Sequence, residues 1–75
     1  MKMKDKMIAA VASHARGMAA KHRMNVEVYL HNPVGIGEHP DLLGAIQDQL
    51  DVIAEQTERI QVLDTYFSHH EHLLD

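Results

Sequence analysis

Seventy-five residues with no cysteine and a net charge of −4 allow one small domain, with no disulfide and no thiolate metal cage to brace it. No apolar run is long enough to span a bilayer and no signal-peptide pattern is present, so the sequence reads as an intracellular, cytoplasmic protein. A chain this short buries a limited share of its surface, and oligomerisation is the common remedy left to it.

The charge is unevenly placed. Residues 1–24 hold Lys2, Lys4, Lys6, Arg16, Lys21 and Arg23 against Asp5, a balance of +5. Residues 25–75 hold Arg59 against ten acids, a balance of −9. Two helices of opposite sign attract when laid side by side. The basic half is also a candidate nucleic-acid surface through those six cations, although the acidic half would repel phosphate.

Residues 3–23 read as a first helix. Met3, Met7, Val11, Ala15 and Met18 fall three or four apart, with Ile8 and Ala12 widening the face. Alanines 9, 10, 12, 15, 19 and 20 raise helix propensity. Gly17 marks either a close helix crossing or a mild kink. Lys21, His22 and Arg23 suit a last turn, and Asn25 suits a left-handed cap. All five methionines lie in this half, where they read as adaptable core.

Residues 26–31 change period. Val26, Val28 and Leu30 alternate with Glu27, Tyr29 and His31, the two-residue repeat of a half-buried strand. A lone strand leaves backbone groups unpaired, so the expectation is pairing with the same strand of a second copy; the alternative is an extended connector. Residues 32–39, Asn-Pro-Val-Gly-Ile-Gly-Glu-His, form a turn-rich link.

Residues 40–67 read as one long amphipathic helix. Pro40 suits the first helical position, with His39 as its N-cap and Asp41 in the first turn. Leu43, Ile46, Leu50, Ile53, Thr57 and Ile60 recur at alternating steps of three and four, and Leu63 and Phe67 continue the line with a shifted register. Thr57 is the polar member of that seam. The opposite face carries Asp48, Asp51, Glu55, Glu58, Arg59, Gln61 and Asp64. Residues 68–75 read as a frayed tail.

Little in the sequence carries chemistry. Gly35-Ile36-Gly37 lacks the third glycine of a dinucleotide fingerprint and the Gly-Lys-Ser/Thr of a phosphate loop. His69, His70 and His72 beside Glu71 could hold zinc or nickel weakly, but His70 and His72 do not share a helical face. An acid–base centre would have to gather Glu38, His39 and His31 at an oligomer interface. No nucleophile accompanies them, so the chain reads as no enzyme, with no cofactor.

The run Val28-Tyr29-Leu30-His31-Asn32-Pro33-Val34-Gly35-Ile36-Gly37-Glu38-His39-Pro40-Asp41, followed by the acidic helix, resembles a family of small proteins encoded by tailed marine phages. The resemblance covers about residues 26–67. It brings no known activity and implies an accessory protein made in an infected bacterial cell.

The expected fold is mainly α: helix, short strand, helix, with the helices forming an antiparallel hairpin that assembles as a homodimer or tetramer. Val11, Met18, Leu43, Ile46, Leu50, Ile53, Ile60 and Leu63 are the expected shared core. Val26, Val28, Leu30, Leu43, Ile46, Leu50, Ile53 and Ile60 are the expected oligomer interface. The expected role is a non-enzymatic interaction or assembly module whose partner is itself, with a further protein partner open.

Overall fold

In the computed structural model residues 2–31 and 41–68 are described. They hold a first helix, α1 (Met3–His31), and a second, α2 (Leu42–Leu63), which runs on into a π-helical turn at Asp64–Ser68. The two helices form an antiparallel hairpin. His22 and Asn25 of α1 meet Gln49 of α2, whereas Val11 borders a groove with Val62 and Leu63. The link of residues 32–39 and the histidine tail lie outside the described residues.

The strand expected at residues 26–31 is helix instead, and among the described residues there is no strand. The alternation of Val26, Val28 and Leu30 spans only six residues. A longer helical repeat runs through the same stretch: Ala15, Met18, Ala19, His22, Asn25, Val26 and Tyr29 are buried or half-buried at steps of three and four. Extending a formed helix by one residue costs little, because each residue fixed adds a hydrogen bond. The β-branched valines are therefore carried along. Asn25, expected as a cap, sits inside the helix and turns its side chain to α2. The inter-subunit strand pairing expected through Val26, Val28 and Leu30 has no strand edge to use. Val26 packs half-buried in the hairpin, while Val28 and Leu30 point outward.

The helix ends have local causes. The Lys2 carbonyl accepts from Lys6 N–H and opens α1. At its other end His31 Nδ1 lies 2.8 Å from the Glu27 carbonyl oxygen. That oxygen can only accept, so Nδ1 carries the proton and satisfies one of the last carbonyls. The N-cap of α2 is Asp41, where His39 was expected. Its Oδ1 accepts from Gly44 N–H at 2.8 Å, and its carbonyl takes the Ala45 N–H. A carboxylate both caps the free N–H groups and meets the positive end of the helix dipole, which imidazole does less well. Gly44 leaves room for that carboxylate: a Cβ there would collide with Asp41 Oδ2.

The molecule is a rod of 54 × 20 × 15 Å. A helix with its side chains is about 10–12 Å across, so the short dimensions match two helices side by side. Among the described residues each helix has one neighbouring helix, which hides only part of its circumference. Ala15 and Gln56 alone among the described residues are fully buried. Gly17 does not mark a close crossing, since a Cβ there would meet nothing within 4 Å.

Candidate interaction surface

α1 does not pack on the stripe that the heptad spacing of α2 marks out. The side of α2 turned to α1 carries Leu42, Ala45, Gln49, Val52, Gln56 and Leu63, all half-buried or buried. That side is rotated by one residue position or more, at least about 100°, from the line Leu43–Leu50–Thr57. Leu43 is 72% exposed and Leu50 49% exposed, and Thr57 is open as well. Ile46, Ile53 and Ile60 lie on the border and are half-buried. Of the expected core, Leu43, Leu50 and Val11 are therefore surface residues, while Met18, Ile46, Ile53, Ile60 and Leu63 join the hairpin contact half-buried.

Where α1 meets α2, part of the contact is polar. Gln49 Oε1 receives two hydrogen bonds, from His22 Nδ1 at 2.6 Å and from Asn25 Nδ2 at 2.9 Å. Since the amide oxygen only accepts, the His22 proton sits on Nδ1. Seven residues on, Gln56 is 4% exposed and its Oε1 has no hydrogen-bond partner. A buried acceptor without a donor costs about 1–3 kcal/mol. Gln49 and Gln56 thus occupy the inward stripe while leucines occupy the outward one. The apolar alternation of three and four, read as a buried seam, hid the fact that the glutamines beside it repeat every seven residues too.

α1 leaves its own apolar residues open. Met3, Met7 and Met24 are more than half exposed, and Val11 is about half exposed. Of the described methionines, read as core, only Met18 is buried, and only in part. Val11 lines an open groove of about 580 Å³ with Glu55, Glu58, Arg59, Val62 and Leu63. A second open groove, about 610 Å³, lies on the outer side of α2 between Ala54 and Tyr66. The π-helical turn presents Tyr66 to that groove; the Tyr66 and Phe67 rings are 6.4 Å apart and tilted by 59°, both well exposed.

The cations and acids face solvent. Lys6, Arg16, Lys21 and Arg23 make no ion pair with another described residue, and neither do Asp48, Asp51 and Glu58. Two pairs form within single helices, Glu27–His31 at 3.5 Å and Glu55–Arg59 at 3.4 Å. Both are exposed and contribute little to stability. Lys6, Arg16, Lys21 and Arg23 fall within about 160° of one another on α1, on the side opposite the buried Ala15, whereas Lys4 lies off that side.

Among the described residues no three His, Asp or Glu side chains gather into a metal site. His69, His70 and His72 lie outside the described residues, as do Glu38 and His39. No described helix is long and apolar enough to cross a membrane. A two-helix hairpin with an open apolar stripe is the class the fold defines. Comparison with protein-family models, curated proteins and solved structures gives no match.

Proposed function

We infer that the protein is a non-enzymatic interaction module that works as a homo-oligomer. The observation that supports this is the exposure of large apolar side chains along both helices and the π-helical turn, eleven of them among the described residues against a single buried apolar residue, Ala15. Monomeric soluble proteins rarely leave contiguous apolar stripes open, and such stripes mark association surfaces. A hairpin is also the geometry that gains most from a second copy, because two hairpins make a four-helix bundle with an interior. Multi-angle light scattering at micromolar concentration tests the reading. A dimer has a mass of about 17 kDa, twice the chain's 8.5 kDa. A compact, stable monomer at tens of micromolar removes the basis of the proposal.

A second reading is nucleic-acid binding by α1. What favours it is that Lys6, Arg16, Lys21 and Arg23 are exposed and make no ion pair with a described residue. Retention on DNA or RNA that falls as salt rises tests it. Kinship with the phage family would make the module an accessory protein acting in the host cytoplasm, and a gene lying among phage genes is the check.

A further inference from the structure

We propose that the outward face of α1 binds the phosphate backbone of double-stranded DNA, with the helix lying along the major groove. The inference rests on the nucleic-acid reading above and names both the face and the form of nucleic acid it fits.

Successive residues on a helix are about 100° apart. Lys6, Arg16, Lys21 and Arg23 thus spread over about 160° of α1, on the side opposite Ala15, which is buried in the hairpin. All four are exposed and make no ion pair with a described residue. From Lys6 to Val26 the helix contains no acid. Asp5 and Glu27 bound that stretch, and Glu27 lies 3.5 Å from His31. At about 1.5 Å per residue the four cations extend along about 25 Å of helix.

The hairpin keeps its remaining acids away from this face. Asp48, Asp51, Glu55 and Glu58 all belong to α2, on sides turned away from α1, and all are exposed. The rod sets the two helices side by side across 20 Å. Exposed charges are screened over about 8 Å at physiological salt. The net charge of −4 therefore does not describe the field in front of α1, which is positive and selects a polyanion.

The shape of the face selects the duplex. Arg16 and Arg23 hold one edge of the arc and Lys21 the other, and between them lie the exposed Ala9, Ala10, Ser13, Gly17 and Ala20. A low floor edged by cations fits a groove walled by phosphates. The DNA major groove is about 12 Å wide and admits a helix, whereas that of RNA is deep and narrow. Single strands are held by stacking bases on aromatic rings. Tyr29, the one aromatic residue of α1, is half-buried in the hairpin instead. Between Lys6 and Arg23 the floor also carries no large apolar side chain to insert into lipid.

The test uses the full chain and fluorescence anisotropy with a labelled DNA duplex, its single strand and an RNA duplex of the same sequence. Each phosphate neutralised adds about 0.9 to the slope of log affinity against log salt, so four cations predict a slope of about −3.6 for the DNA duplex. Affinity should fall about a hundredfold between about 50 and 200 mM salt. Arg16→Gln and Lys21→Gln, on opposite edges of the face, are each expected to weaken binding several-fold and to lower the slope by about 1. Arg59→Gln removes the same charge from α2 and is expected to leave both unchanged. Circular dichroism checks that each variant keeps its helix content. Tighter binding of the single strand or the RNA duplex overturns the proposal and leaves the nucleic-acid reading standing. An equal loss in Arg59→Gln and Arg16→Gln does the same, since binding would then follow net charge and not this face. No binding to any of the three at low salt, or binding to phosphatidylserine vesicles in their place, ends both.

Discussion

Gln49 and Gln56 sit one heptad apart on the same inward stripe, yet replacing them by methionine should move stability in opposite directions. Gln56 is 4% exposed and its Oε1 has no donor. Gln56→Met keeps the side-chain length and removes the unsatisfied acceptor, a gain of about 1–3 kcal/mol. At about 4–8 °C per kcal/mol for a domain of this size, the melting midpoint should rise by roughly 5–20 °C. Gln49→Met takes the acceptor from both His22 Nδ1 and Asn25 Nδ2. Those groups are half-buried and water can reach them in part, so the loss should be about 1 kcal/mol. Thermal and urea unfolding followed by far-ultraviolet circular dichroism measure both changes. Protein concentration must be held fixed, because association raises the midpoint by mass action. A Gln56→Met midpoint equal to or below that of the wild type would mean that the oxygen does have a donor in solution, and the reasoning would fail. Two variants shifting in the same direction would refute the contrast as well.

Asp41→Ala should cost about 1 kcal/mol by removing the cap on Gly44 N–H. Gly44→Ala should gain less than the usual about 1 kcal/mol of a helical Gly→Ala change, because the new Cβ displaces the Asp41 carboxylate; in an Asp41→Ala background the full gain should return. A double-mutant cycle by urea unfolding reads that coupling, and strict additivity would disprove it. Gly17→Ala meets open space and should raise stability by about 1 kcal/mol, measured by thermal unfolding. Val28→Ala should stabilise by a few tenths of a kcal/mol because Val28 is exposed in a helix; a loss of stability would point back to a strand.

The hairpin was legible because the apolar repeat of residues 43–60 is long, and because a glycine- and proline-bearing link separates it from an alanine-rich stretch. The helical state of residues 26–31 was present in the sequence but masked. Val26 and Tyr29 continue the three-and-four rhythm of Met18 and His22, and a six-residue alternation drew attention away from it. The rotation of α2 against α1 was less accessible. Apolar spacing locates a stripe but does not say which neighbour covers it. Here the first neighbour took the side holding Gln49 and Gln56, where His22 and Asn25 offer donors to the first of them. Polar complementarity between two distant segments, 24 and 27 residues apart, has no one-dimensional signature. The cap at Asp41 could have been found, since an acid followed three residues later by a glycine is room and charge together.

The 20 × 15 Å cross-section has a calorimetric consequence. A hairpin whose described residues include one fully buried apolar side chain uncovers little new greasy surface there when it melts. Its heat-capacity increment and its denaturant slope should both be small for its length, and its transition broad. Joining two such rods would convert a gradual fraying into a sharp, concentration-dependent step.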